Sequence, residues 1–360
     1  MIRIDEIYNN TIWPYIQKNI PLTRMFYCDP PGRSDPDSLF NHGQDITELH
    51  YILLHDQEPI HFEYHKSLFE DTVRRNLDLN NGQGPVNKAI ITSEWNSESV
   101  ERLQKEYGWA HYYYFFHGWA TLDWYRGYDK TFLYTPFAQR NIENLFLFPN
   151  NIIGGERRHR LVLFNELEKR NCIKNNLISF PEICPYENLL VADLCKKYNV
   201  DEIHSDLPLV LDQVDNHANS SHHITLWEQT NKSLIQLVSE TVFYGRKNHL
   251  TEKSFRPIAM QQPFIIASCR GSLEYLKSYG FETFSSVWNE SYDSADDDVR
   301  CSKIADLLTE LELADWQYLQ EQCAPIVEHN FNHFYGGEFE KLLWEEFTCM
   351  LEKIKNDFYI

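Results

Sequence analysis

LFLFPNNIIGGERRHRLVLFNELEKRNCIKNNLISFP, from Leu145 to Pro181, holds a complete β-α-β unit in one stretch. Leu145 to Asn150 is a short apolar run, Gly154 and Gly155 make a turn, Arg157 to Arg170 reads as a helix, and Asn176 to Pro181 is a second apolar run. Parallel strands cannot be joined by a tight hairpin, so strand, turn, helix, strand is the order a parallel sheet requires. Downstream the pattern continues with SLIQLVSE (Ser233 to Glu240), TEKSFRPIAM (Thr251 to Met260), strand PFIIAS (Pro263 to Ser268), helix GSLEYLKSYG (Gly271 to Gly280) and strand FETF (Phe281 to Phe284).

Upstream the same plan appears once before. YILLHDQEP (Tyr51 to Pro59) and KAIITSEW (Lys88 to Trp95) are apolar runs with polar carboxyl ends, as buried parallel strands have. Lys66 to Leu77 and the loop Asn81 to Pro85 supply the crossover between them. HYYYFFHGWATLDWYRGY (His111 to Tyr128) predicts a buried strand over Tyr112 to Phe116, then a loop carrying His117, Trp119, Asp123 and Arg126. Alternation begun twice predicts an α/β protein of two doubly wound, Rossmann-like domains, residues 1–140 and 141–335. Phe339, Leu342, Leu343, Phe347, Met350, Leu351 and Ile354 recur at helical spacing, so residues 336–360 are expected to form an amphipathic helix crossing between the domains.

At 360 residues and 42% apolar content the chain is long enough for two ordinary cores. Acidic residues outnumber basic ones 53 to 33, a net charge of −20, which on average repels phosphate polymers and anionic lipid. No apolar stretch is long enough for a membrane span and the first residues lack a signal-peptide pattern. The 8 cysteines form no C-x-x-C pair. A reduced, cytoplasmic protein is expected.

Two helix starts break a local rule. The amino end of a helix favours anions, yet Arg157, Arg158, His159 and Arg160 crowd the start of one helix directly after the glycine pair. Strand, glycine turn and free helix amides make a phosphate cradle, and arginine adds bidentate donors. The alternative has these arginines solvated or paired with Glu156 and Glu166. Around Thr251, a plausible N-cap, Glu252, Lys253 and Arg256 lie in or near the first turn, where a carboxylate can take ribose hydroxyls and a lysine can neutralise phosphate. A capping carboxylate beside a surface lysine fits the same residues.

The segment Glu240 to Phe284, with TEK at Thr251 to Lys253 and the PFII strand after it, resembles the donor-binding half of the α-1,3-fucosyltransferases and related viral and bacterial GT-B glycosyltransferases. The resemblance covers roughly Leu145 to Asp293. It implies a GT-B-like fold, Glu252 and Lys253 at the ribose and phosphate of a nucleotide-diphosphate sugar, and an arginine, Arg157 or Arg160, at the pyrophosphate. Pro257 and the long loop after Glu240 depart from the fucosyltransferase pattern, so fucose itself does not follow. The nucleotide-binding candidates are Asn150, Arg157, Arg160, Glu240, Thr251, Glu252, Lys253 and Arg256.

A glycosyltransferase of this kind moves a sugar to a glycan or other hydroxyl acceptor, inverting and without a required metal or other cofactor, because the cations stabilise the departing diphosphate. The first domain is expected to hold the acceptor, and a base must take its proton. Asp56 and Glu58 follow a strand, and alternation points them the same way. His117 and Asp123 are the reserve candidates. A catalytically inactive carbohydrate- or nucleotide-binding scaffold, or a glycosyltransferase acting on modified nucleic acid, are the alternatives. HFEYH spaces His61 and His65 for zinc without an assignable third ligand, DPD (Asp35 to Asp37) lacks the apolar strand of a DxD metal motif, and His217, His222 and His223 sit in a polar loop, so no metal site is expected.

Overall fold

A computed structural model describes residues 4–21, 23–27, 50–63, 87–127, 135–211 and 226–358. The chain divides into two compact units, residues 1–123 with 340–360, and residues 124–339. Among the described residues each contains a parallel sheet of four strands, so the protein is α/β. The expected crossover at residues 66–77 and its loop at 81–85 lie outside the described residues.

In the first unit β1 (Thr23–Tyr27), β2 (His50–His55), β3 (Asn87–Thr92) and β4 (Ala110–Tyr113) pair in strictly sequential order. Among the described residues this order contains no reversal, whereas the expected doubly wound sheet reverses at a switch point; the sequence shows the alternation of elements but not the direction of each step. Leu53 and Ile90 share a cluster with Ile60, Phe62, Val100, Leu103 and Trp109, contributed in part by the helix Glu98–Tyr107. That helix is punctuated at both ends: Ser97 Oγ accepts from Val100 N, and Gly108 leaves it at φ +66°, where a side chain would be strained. The C-terminal helix Glu338–Phe358 packs Phe347 against Tyr114 (5.3 Å between rings) and Trp344 against Trp119 (4.6 Å), while Tyr112 Oη donates to Asp357 at 2.9 Å. Of its expected stripe only Leu342 is left exposed.

The predicted loop after Phe116 is instead a helix, Phe116–Trp124. Every residue from Phe116 to Leu122 is buried, so the segment has no polar face and no amphipathic period by which to read it.

The second unit orders its sheet β10-β9-β5-β6, with β5 (Asn144–Pro149), β6 (Leu177–Ser179), β9 (Ser233–Ser239) and β10 (Phe264–Ala267), and carries a short hairpin of β7 (Ile183–Cys184) and β8 (Leu189–Leu190). The chain steps from β5 to β6 in one direction and reaches β9 and β10 on the other side of β5. Parallel crossovers are right-handed, which places the helices His159–Lys169 and Glu252–Ala259 on opposite faces, a doubly wound arrangement. Burial of every residue of β9 and β10 agrees, since both faces are covered. Phe281 to Phe284 form no strand. Asn330 Oδ1 and Glu290 Oε1 accept from the amides of Glu282 and Phe284, both at 2.8 Å, in place of a neighbouring strand. Among the described residues no helix is long and apolar enough to cross a membrane.

Candidate functional site

The order of the second sheet reverses between β5 and β9. At such a reversal the crossovers leave on opposite faces, and a crevice opens beyond the carboxyl ends of the two strands. Asn150 follows β5 and Glu240 follows β9, so the fold brings these two residues to that point. Arg160 joins the two strand ends. It is 6% exposed, and its guanidinium donates from Nη1 to Ile152 O (2.9 Å) and from Nη2 to Ser239 O (2.9 Å) and Glu240 O (3.2 Å). Burial, then the neighbouring Arg157, lower its pKa to about 10, so it keeps its charge at neutral pH. Among the described residues no carboxylate forms an ion pair with it, although Glu240 and Glu252 lie near enough to favour its charge. Among the described residues Arg160 Nε and Asn150 Oδ1 are buried without a hydrogen-bond partner, a state that costs free energy unless something else completes it.

Glu240 organises the second helix start. Its carboxylate, fully buried, accepts from Thr251 N (3.0 Å), Thr251 Oγ1 (2.6 Å), Ser254 Oγ (2.6 Å) and Thr241 N (3.2 Å). Thr251 is the N-cap that the sequence suggests, its Oγ1 accepting from Lys253 N. Lys253 Nζ lies 2.7 Å from Glu252 Oε1 and 3.3 Å from the hydroxyls of Thr241 and Thr251. The glutamate of that pair is buried and the lysine partly exposed, so an incoming anion would meet Lys253 first. Arg256 Nε, three residues further along the helix, is buried without a hydrogen-bond partner among the described residues.

The glycine turn holds a different anion from the one its sequence suggests. Gly155 N donates to Glu187 Oε1 (2.5 Å) and to Tyr198 Oη (2.8 Å), and Glu187 also bonds Lys197 and Tyr198. Glu187 comes from the turn of the β7-β8 hairpin, and these partners hold its carboxyl below the usual range despite partial desolvation. Gly155 takes φ +59°, and a side chain at Gly154 would collide with this carboxylate. The four crowded cations also separate. His159 is buried and stacked on Phe243 (4.6 Å, 6° between planes), with Nε2 3.0 Å from Ser239 Oγ; burial, then Arg160, hold its pKa well below the ordinary value, so it is neutral. Arg158 lies over the Tyr244 ring at 3.9 Å. Arg157 is half-buried, and its side chain makes no ion pair or hydrogen bond among the described residues.

In the first unit the polar groups also gather at strand carboxyl ends. Asp56, one residue past β2, is 1% exposed; Tyr8 Oη donates to both of its oxygens at 3.2 Å, and Tyr114 Oη donates to Oδ2. Burial pushes its pKa up to about 7 against the pull of the two tyrosines. Glu58 is exposed and does not share this setting, because β2 ends at His55 and the chain bends over Gln57 and Glu58, which breaks the alternation. His117 is buried with Nε2 2.9 Å from Gln57 O, and Asp123 accepts from Ile4 N at 3.1 Å. A carboxylate that the sequence did not single out, Glu94, is buried after β3 and accepts from Ile60 N and Ser97 Oγ. Its only sequence signal is its place at the polar end of KAIITSEW.

Among the described residues no group of three histidine, cysteine or acidic side chains is assembled that would hold a metal ion. His61 is described, whereas His65, the Asp35 to Asp37 motif and His217, His222 and His223 lie outside the described residues. No protein-family model matches the sequence, and a search of the curated proteins finds no match.

Proposed function

We propose that this chain is a glycosyltransferase whose second unit binds a nucleotide-diphosphate sugar at the switch point between β5 and β9. The observation that carries the reading is Arg160: a buried guanidinium at that point, held by three carbonyls, with Nε unpartnered and no ion-paired carboxylate among the described residues. A diphosphate would complete it, with Arg157 and Lys253 as further cations. Of the two arginines left open by the sequence, Arg160 has the position and Arg157 the freedom to reach a ligand. Together they would stabilise the charge that grows on a departing nucleotide diphosphate, so the proposal needs no metal. The amide turn at Gly155 is excluded from the phosphate site, because Glu187 fills it. The acceptor hydroxyl is assigned to the first unit, with Asp56 as the group that takes its proton in an inverting displacement. A GT-B-like pairing of the units belongs to the same proposal, supported by two parallel sheets that each carry buried polar groups at the carboxyl edge.

Calorimetric titration against UDP-, GDP-, CMP- and dTDP-sugars tests this. A diphosphate donor is expected to bind, and the monophosphate-linked CMP-sugar to bind more weakly. Lys253→Ala and Arg157→Ala should each weaken donor binding by about 1.5–3 kcal/mol, as lost charge-assisted bonds do. The melting temperature of Arg157→Ala should hold, since that side chain is only half-buried, whereas Lys253→Ala also removes a partner of the buried Glu252, so its loss of affinity is read beside its melting temperature. Arg160→Ala is a poorer probe, because it also strips three carbonyls of their donor. If no nucleotide sugar binds the wild-type protein, the reading fails.

A further inference from the structure

Trp95 is 53% exposed, in the loop that follows β3. It meets the ring of Tyr113, the last residue of β4, with 5.3 Å between centroids and 60° between planes. Two neighbouring strands of a parallel sheet thus present an open aromatic corner at their carboxyl ends, the edge where sheets of this class bind ligands. The corner is built on fixed residues. Glu94, just before Trp95, is tied to Ile60 N and Ser97 Oγ; Asn96, just after, takes φ 52°; and Ser97 caps the next helix. The indole is thus held against a second ring with one face left to solvent, which is the arrangement that stacking on a flat ligand face requires.

We propose that Trp95 and Tyr113 form a saccharide-binding subsite, the ring of Trp95 stacking on the apolar face of a pyranose. Three observations select that chemistry. Among the described large hydrophobic residues of the first unit only Trp95 and Leu342 are exposed, so the described residues form no apolar patch of the size a protein partner covers. The flanking Glu98 is exposed and supplies a carboxylate, a partner for hydroxyls rather than for phosphate. The net charge of −20 disfavours a polyanion. A pyranose offers what this corner takes, a C–H face for the ring and hydroxyls at its rim. As an acceptor subsite it rests on the glycosyltransferase reading; as a saccharide site it does not.

The probes are lactose, maltose, cellobiose and N-acetyllactosamine, added without nucleotide to the full chain. Saturation-transfer NMR reports contact, and the change in tryptophan fluorescence gives the affinity. At least one disaccharide is expected to bind. Trp95→Ala should weaken it by about tenfold or more and Trp95→Phe by less, the size of one aromatic stacking contact, with melting temperature and nucleotide affinity unchanged. Absence of binding by all four sugars, or binding that survives Trp95→Ala, overturns the subsite. Choline binding in place of every sugar would overturn it too, by showing a cation site. Disaccharide binding through Trp95 in a protein that binds no nucleotide sugar would sustain the subsite while removing the transferase reading. Nucleotide binding without sugar binding would do the reverse.

Discussion

Asp56→Asn is expected to lower turnover by about 10²–10⁴ while leaving donor affinity in place, the usual cost of removing a general base. The wild-type rate should rise with pH through about 7, where Asp56 loses its proton, and the residual rate of the variant should lose that rise. Asp56 is almost sealed by Tyr8 and Tyr114, so in the proposed transfer an acceptor proton would reach it through one of those hydroxyls or after one of them moves. Tyr114→Phe should therefore also cost turnover. Stability is expected to run the other way. A carboxyl whose pKa is raised in the folded state binds its proton more tightly there than in the unfolded chain, so the stability it contributes is full below pH 4 and is lost as pH rises to about 7. Across that window the loss is on the order of a few kcal/mol, and Asp56→Asn, which never ionises, should remove it. Chemical denaturation at several pH values reads this directly. A variant that turns over at the wild-type rate, with the same dependence of stability on pH, would relieve Asp56 of both roles.

The parts legible in the sequence are those whose signal is local. YILL, AII, LFLF and FIIA are unbroken apolar runs, buried along their whole length, and each lies in a strand. Thr251 was readable as a cap, since a cap and its turn are adjacent in the chain. The rest depended on distance. Glu187 satisfies Gly155 from more than thirty residues away, and nothing near either residue marks the pair. His159 counts as a cation in a list of residues but is neutral in its burial beside Arg160, so one member of the charge cluster vanishes on folding. Asp56 and Glu58 look equivalent on paper and are separated by where β2 ends. The helix Phe116–Trp124 has no period because nothing on it faces solvent through Leu122. The direction of each crossover, which makes one sheet reverse and the other not, is written in tertiary packing alone.

Glu240→Ala is expected to be the most destabilising change at the candidate donor site. The carboxylate answers two backbone amides and two hydroxyls at once, all inside the fold. Deleting it leaves the Thr241 and Thr251 amides facing each other's neighbours without an acceptor, and buried amides cannot turn away to water. An unmade buried bond costs about 1–3 kcal/mol, so the variant should lose about 3–5 kcal/mol in all. In a unit of this size that is a fall of roughly 10 °C or more in melting temperature. Glu240→Gln separates packing from hydrogen bonding. Its carbonyl can replace Oε1, which serves Thr251 N, and its amide can donate to the Thr251 hydroxyl, which rotates to accept. Thr241 N then faces an NH₂ group and stays unanswered, so about 1–3 kcal/mol should be lost instead. Donor affinity should track this series, because Glu240 holds the Thr251 cap and the cap orients Lys253. If instead Glu240→Ala melts with the wild type and only loses nucleotide binding, the carboxylate answers a ligand rather than the fold, and its four internal bonds are a resting arrangement that binding replaces.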